Sequence, residues 1–292
     1  MAGFYCLLSG LPHLRLEDAA AETVSLAEMR ELLDEERVDG RDARMLDLFF
    51  LHGDCRNLLA LLKDSDAEMP CIGVFGRDEL QEMIADAMEE VFEDDRRFPP
   101  FMAEFVREFV KHRGEKGYFA EDRIMVRYWM YLMENGSDFV ARWAELNLNV
   151  SNILTALICR EQGWNVADYI YGDNDVTYML LNRQSADYDL SREVDYVPEL
   201  MRIVRESDPV LKERRIDAMK WVWLEDETFQ EPFDVNAVFA YLLKVQMLER
   251  WAVLDPDRGR EAFTEIIENL RRECRVPDEF IIHNSQFIIH NS

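Results

Sequence analysis

The sequence predicts an all-α protein made of long helices joined by few loops. Glycine (12 residues) and proline (9 residues) are both scarce in a chain of 292 residues, whereas a sheet protein with many tight turns needs more of both. Hydrophobic residues make up 48% of the chain, which is a globular composition that can bury a sizeable core. Apolar residues also recur at helical spacing along most of the sequence.

The helical pattern is divided by recognisable boundary residues. Ser25 and Glu28 form a capping box at the start of the first amphipathic stretch. Phe98-Pro99-Pro100 interrupts the chain after an acidic run, and Asn135-Gly136 ends a later helix. The predicted helices are residues 25–37, 42–51, 57–63, 78–92, 101–112, 122–134, 138–145, 152–161, 198–205, 210–223, 235–254 and 261–272.

The charge of the chain argues against two classes of partner. Its formal net charge is −26, so phosphate backbones and anionic lipid headgroups would repel its surface. We therefore expect no nucleic-acid binding and no direct membrane insertion. A position near a membrane would require another protein to hold the chain there. The acidity either maintains solubility or attracts a basic partner, and the sequence leaves both explanations open.

The cysteines and the apolar runs indicate a cytoplasmic protein. The five cysteines are an odd number with no C-x-x-C pair, which is typical of buried thiols in a reducing compartment. They are Cys6, Cys55, Cys71, Cys159 and Cys274. The first residues lack the basic region of a signal peptide, and no apolar run approaches the length of a membrane span.

No motif in the sequence indicates a catalytic site, so we predict no catalytic, cofactor-binding or metal-ligating residues. A Gly-rich phosphate loop, a G-x-S-x-G elbow and an H-E-x-x-H pair are all missing. Glu108 and His112 lie four residues apart, a spacing more typical of a solvated contact. Asp173-Asn174-Asp175 lacks the spacing of a calcium loop and is better interpreted as a turn with a helix cap. A cysteine–histidine nucleophile is left open.

The most informative feature is a weak internal repeat. Three stretches each contain an Asp or Asn, an Asn soon afterwards, an apolar helical run and then a cation. They are Asp54, Asn57 and Lys63; Asn149, Asn152 and Arg160; and Asp234, Asn236 and Lys244. The six short polar residues are predicted to be structural helix caps, and the cations favour the helix C-termini. The first two stretches are in register, which predicts duplicated helical units.

One tryptophan pair is a candidate contact for a partner. Trp221 and Trp223 lie two residues apart, so they cannot share one face of a helix. Most tryptophans belong to cores, but one member of this pair could be an exposed anchor for another protein.

These stretches resemble the C subunit of V/A-type ATPases, called subunit d in the eukaryotic enzyme. That family repeats a polar residue, an Asn and an apolar helix ending in Lys or Arg. Its last unit carries a Tyr-Leu-Leu helix, then an acidic residue and Arg, as in Tyr241 to Lys244 followed by Glu249-Arg250. The opening, from Phe4-Tyr5 to Pro12, is most similar to a bacterial family of unknown function associated with V-type ATPase operons.

The resemblance implies a funnel-like fold of two to three related helical units. We expect units at residues 1–97 and 98–195, a reduced third unit at 196–276, and a loose tail at 277–292 that carries a duplicated hexapeptide. The implied role is a non-catalytic adaptor, cytoplasmic and peripheral to the membrane, whose partners are the central-stalk subunits and the proteolipid rotor ring. The alternative is a free-standing acidic helical scaffold, or a degenerate enzyme, with an unrelated protein partner.

Overall fold

The computed structural model describes residues 4–16, 24–89, 97–115 and 118–254, and within these ranges the chain forms eleven α-helices and no strand. The all-α prediction is confirmed for this part of the chain. The helices are α1 (Tyr5–Gly10), α2 (Leu26–Glu35), α3 (Gly40–Lys63), α4 (Arg77–Met88), α5 (Pro100–His112), α6 (Ala120–Asn135), α7 (Asp138–Gln162), α8 (Asp175–Asn182), α9 (Val197–Ile203), α10 (Pro209–Thr228) and α11 (Val235–Leu254).

Helix starts that depend on local signals agree with the prediction. The Ser25 hydroxyl accepts a hydrogen bond from the Glu28 N–H at 3.2 Å, and the Glu28 carboxylate accepts one from the Ser25 N–H at 2.8 Å. This is the predicted capping box at the start of α2. The predicted last helix, 261–272, and the duplicated hexapeptide lie outside the described residues.

Two pairs of predicted helices are in fact single long helices. The segments 42–51 and 57–63 both belong to α3, and the segments 138–145 and 152–161 both belong to α7. The prediction divided each helix at an Asp or Asn because such residues favour helix starts. Here the same residues lie in helix interiors, where contacts with distant loops satisfy their polar groups.

The long helices α3 and α7 lie within one continuous hydrophobic core. Helix α3 packs on α6 and α11, and α6 packs on α7. Three phenylalanines join these elements edge to face: the Phe239 ring lies 5.8 Å from that of Phe49 and 6.4 Å from that of Phe139. Since buried aromatic rings contribute much of the apolar area removed from water, this junction is a major source of stability.

The beginning of the chain packs against its last described helix. The Phe4 N–H donates to the Phe233 carbonyl at 3.0 Å, and the Leu26 N–H donates to the Glu249 carboxylate at 2.8 Å. The first and third predicted units therefore share an interface. The predicted boundaries near residues 97 and 195 fall between helices, and the division into units stays a prediction. Among the described helices, none is long and apolar enough to cross a membrane.

Candidate functional site

Two buried asparagines make the same contact in two parts of the molecule. In α3, the Asn57 amide donates to the Cys71 carbonyl at 2.8 Å and accepts from the Cys71 N–H at 3.0 Å. In α7, the Asn152 amide donates to the Tyr171 carbonyl at 2.6 Å and accepts from the Tyr171 N–H at 3.1 Å. Each asparagine thus satisfies both backbone groups of one residue in the loop that follows its helix. We call these two contacts the asparagine clamps.

On each helix, the polar residue one turn before the clamp asparagine contacts the same loop as the clamp does. The Asp54 carboxylate accepts hydrogen bonds from the N–H groups of Val74 at 2.8 Å and Phe75 at 3.2 Å. The Asn149 side-chain oxygen accepts one from the Asn174 amide at 2.9 Å. Asn174 is itself the N-cap of α8. In both copies, therefore, two polar residues on one helix position the loop that leads to the next helix.

Four of the six predicted helix caps were therefore assigned to the wrong role. These four are Asp54, Asn57, Asn149 and Asn152, which lie inside α3 and α7. The prediction for Asp234 is confirmed, because its carboxylate accepts from the Ala237 N–H at 2.8 Å at the start of α11. Asn236 lies inside the first turn of α11 and donates to the Asp234 carboxylate at 2.7 Å, so it supports the cap without being one.

Two glycines allow the first loop to approach α3 closely. A Cβ atom on Gly53 would collide with the Ile72 carbonyl, and one on Gly73 would collide with the Asp54 carboxylate. Both positions therefore require glycine for space. Neither glycine gives a signal in the sequence, because the close approach joins residues that are about twenty positions apart.

Burial changes the protonation of two side chains beside this contact. Burial raises the pKa of Asp54 to about 6, although the hydrogen bonds from Val74 and Phe75 act in the opposite direction. Burial lowers the pKa of His52 to about 4, and the positive charges of Arg56 and Arg250 lower it further. His52 pairs with the Gln246 amide at 3.1 Å on α11. Both groups lie at contacts between elements of the fold, Asp54 with the loop after α3 and His52 with α11.

The residues of the predicted family motif near the N-terminus lie against α11. The Tyr241 hydroxyl donates to the Pro12 carbonyl at 3.0 Å, and the Tyr5 ring lies 4.7 Å from the ring of Phe233. Phe4 and Glu249 make the backbone contacts described above. These motif residues therefore fasten the two ends of the described chain together.

The cations of the motif make different contacts from one another. Lys63 pairs with Glu121 at 3.0 Å on the surface, whereas Arg160 donates to the carbonyls of Ser185 and Ala186 at 3.0 and 2.7 Å. The Lys244 ammonium lies 5.1 Å from the Trp221 ring centre. These cations contribute to tertiary structure as well as to the ends of helices.

The partly exposed Arg250 contacts a buried carboxylate between α10 and α11. It pairs with Asp217, whose carboxylate also accepts from the Trp251 indole N–H at 2.7 Å. Because Asp217 is almost fully buried, this charge pair and hydrogen bond offset the cost of removing its carboxylate from water.

An open cleft of about 740 Å³ lies between α7, α8, α10 and the segment before α9. Trp223 contributes to its wall; its ring stacks on that of Phe139 at 5.7 Å and lies tilted at 5.6 Å from that of Trp143. The Tyr178 side chain is 62% exposed at the rim. The residues that line the cleft include Arg142, Glu145, Leu146, Asn149, Met179, Arg183, Glu193, Val194 and Tyr196. This mixture of apolar and charged residues suits a protein contact.

The described residues bring together no group of three or more His, Cys, Asp or Glu side chains that could hold a metal ion. What the fold presents instead is a pair of clamped helix–loop–helix elements and one open cleft. Over its described residues, the class of protein defined by these features is an all-α protein with two helices that make the same kind of asparagine clamp.

The chain belongs to the family described as "Protein of unknown function (DUF2764)", which matches residues 1–274. The match includes both asparagine clamps and the cleft, and it ends before the repeated hexapeptide that begins at Phe280. Comparisons with curated proteins and with solved structures give no match.

Proposed function

We propose that this protein is a non-catalytic adaptor in the central stalk of a V/A-type rotary ATPase. It would link the stalk to the membrane rotor ring and transmit torque during ion transport. The observation that carries the proposal is the repetition of the asparagine clamp, in Asn57 with Cys71 and in Asn152 with Tyr171. The C-subunit family that the sequence resembles is built from related helical units, arranged as a funnel.

The mechanical properties of the fold support this role. A torque-transmitting adaptor must resist bending, and α3 and α7 contain 24 and 25 residues, which corresponds to a length of about 36 Å each. The clamps fix the following loops to these helices, and the Phe49–Phe239–Phe139 junction connects both helices to α11. Relative movement of the helices would therefore break buried hydrogen bonds and aromatic contacts.

The charge of the chain supports a protein partner rather than a lipid partner. With a net charge of −26, the protein needs other subunits to hold it beside an anionic membrane. Its acidic surface would speed and orient docking on a basic surface of the stalk or ring. We therefore expect binding to weaken as the salt concentration rises.

The test is reciprocal affinity purification from the native cell in mild detergent. A tag on this protein should recover the stalk and ring subunits of the ATPase, and a tag on a catalytic ATPase subunit should recover this protein. Raising the salt in the wash should release it before the core subunits dissociate. An intact, active ATPase that consistently lacks this protein in both purifications would end the proposal and favour an unrelated partner.

A further inference from the structure

The asparagine clamps place α3 and α7 in register. Asp54 matches Asn149 and Asn57 matches Asn152, so residue n of α3 corresponds to residue n + 95 of α7. The surroundings of two equivalent helices can therefore be compared face by face.

In the first copy, α2 covers the face of α3 that bears Asp47 and Phe50. The Arg30 side chain lies 3.6 Å from the Asp47 carboxylate and 4.6 Å from the centre of the Phe50 ring. Met29 and Leu33 on the same helix are buried. An amphipathic helix of the chain itself thus lies over Phe50 on this face of α3, while the Asp47 side chain stays 42% exposed.

In the second copy, the equivalent face of α7 borders an open cleft. The register assigns Arg142, Glu145, Leu146 and Asn149 to the positions of Asp47, Phe50, Leu51 and Asp54. All four of these α7 residues line the 740 Å³ cleft. The cleft therefore lies on the α7 face that corresponds to the α3 face covered by α2.

The lining of the cleft defines the charge of a suitable occupant. Arg142 is paired with Glu227 at 2.8 Å, and Arg183 lies 4.0 Å from Asp189, so nearby carboxylates balance both arginines. Three carboxylates also line the cleft, on Glu145, Asp175 and Glu193. The lining therefore favours cations on the occupant.

The apolar part of the lining defines the shape of the occupant. Val194 and the half-buried Trp223 line the cleft, with the buried Leu146 behind its wall, and the exposed Tyr178 ring also lines it. Aromatic residues at the wall and rim of a concave surface are typical anchors for a partner helix. A helix with one apolar face and a cationic flank would reproduce the packing that α2 gives in the first copy.

We propose that this cleft binds an amphipathic helix of a partner protein, with apolar residues against Trp223 and Val194 and a lysine or arginine facing Glu145 and Glu193. The inference goes beyond the role in a rotary ATPase and does not depend on it, because it follows from the comparison of α3 with α7.

The binding probe is a labelled synthetic peptide based on residues 24–38, the segment that contains α2. The peptide keeps the apolar residues and arginines of this segment and replaces its five carboxylates with lysine. We expect the full chain to bind it with a dissociation constant on the order of 10⁻⁵ M, measured by fluorescence anisotropy. A scrambled peptide of the same composition controls for simple attraction to an acidic protein.

Matched variants locate the binding. Tyr178→Ala should raise the dissociation constant at least about fivefold through loss of an anchor, and Glu193→Lys should raise it about threefold or more at low salt. Phe119→Ala and Glu161→Lys change an exposed aromatic residue and an exposed carboxylate outside the cleft, and should leave binding unchanged. All four positions are on the surface, so the variants should fold normally.

Three results would overturn the proposal. The scrambled peptide could bind as well as the designed one, or the cleft variants could behave like their controls. The third is a concentration-dependent dimer in sedimentation analysis that Tyr178→Ala abolishes, because the occupant would then be a second copy of this chain. The proposal is supported if the designed peptide binds more strongly than the scrambled peptide and if both cleft variants weaken this binding.

Discussion

Replacing Asn57 with alanine removes the whole first asparagine clamp. The variant loses the donor to the Cys71 carbonyl and the acceptor for the Cys71 N–H, and it leaves a cavity where a fully buried side chain had been. Asn152→Ala makes the corresponding change at Tyr171. The two variants are therefore independent tests of one physical idea at two sites.

The expected loss of stability is larger than that of a missing helix cap. A lost cap costs about 1 kcal/mol, which was the expectation from the sequence. A buried donor or acceptor left without a partner costs about 1–3 kcal/mol. Asn57→Ala leaves one of each at a partly buried loop, whereas Asn152→Ala leaves the Tyr171 N–H alone, because the Tyr171 carbonyl still accepts from the Thr177 hydroxyl at 3.2 Å. Allowing for partial access of water, we expect Asn57→Ala to lower the free energy of unfolding by about 2–4 kcal/mol and Asn152→Ala by about 1–3 kcal/mol.

The assay is urea unfolding followed by circular dichroism, together with hydrogen exchange of the backbone amides. In Asn57→Ala the Cys71 amide should exchange much faster, and in Asn152→Ala the Tyr171 amide should do so. Asn182→Ala is the matched control, because Asn182 is exposed and its amide contacts only the Tyr178 carbonyl of its own helix. The control should change stability by less than about 0.5 kcal/mol.

The reasoning is refuted if both clamp variants match the Asn182→Ala control in stability and in amide exchange. Asn57→Asp provides a further check, because a carboxylate keeps an acceptor for the Cys71 N–H and places a negative group beside the Cys71 carbonyl. It should not restore stability at neutral pH.

Other predictions concern the same region. Gly53→Ala should lower the free energy of unfolding by about 1–3 kcal/mol in urea titrations because its methyl group would meet the Ile72 carbonyl, whereas Gly10→Ala has open space and should be close to neutral. The pKa of Asp54 in the folded protein, about 6, exceeds its usual value of 3.8, so its contribution to stability is full below pH 3.8 and is lost as the pH rises through 6. The unfolding free energy of the wild type minus that of Asp54→Asn should therefore fall by about 2 kcal/mol between pH 4 and pH 7, and a flat difference would contradict this. The pKa of His52 is lowered from 6.5 to about 4, so its contribution is full above pH 6.5 and is lost as the pH falls towards 4. Calorimetry of His52→Gln should show a smaller loss of stability over that acidic range than the wild type.

Periodicity in the sequence predicted most helices well, because apolar spacing reports directly which face is buried. The predicted helix 235–254 coincides with α11, and the capping box at Ser25 marks the start of α2. Both depend on residues that are close together in the sequence. At such places, interactions between residues that are close in the sequence are sufficient to predict where a helix begins and ends.

The interiors of α3 and α7 could not be predicted in the same way. An Asp or Asn before an apolar run accepts backbone hydrogen bonds in either situation, as a cap or as a clamp. Only the position of the distant loop distinguishes the two roles, as the contact of Asn57 with Cys71 shows. The register of the repeat was informative even though the role assigned to its polar residues was wrong.

The cleft had only one partial signal in the sequence, the Trp221–Trp223 pair. Trp221 is buried, and Trp223 faces the cleft, as expected if one member of the pair lies outside the core. Arg142 and Glu193 gave no signal, because the cleft is formed by segments that are separated in the sequence. Such a site becomes visible only when helices are placed side by side.

The substitutions between the two copies explain how one helix face can lie under α2 in the first and border an open cleft in the second. Phe50 is buried under Arg30 of α2, and its equivalent on α7 is Glu145. A phenylalanine at that position would enlarge the apolar surface of an open cleft, which favours aggregation. Glutamate reduces that surface in the free protein, while Val194 and Trp223 retain apolar area for a partner. This combination is suited to a face that is exposed before assembly and covered afterwards.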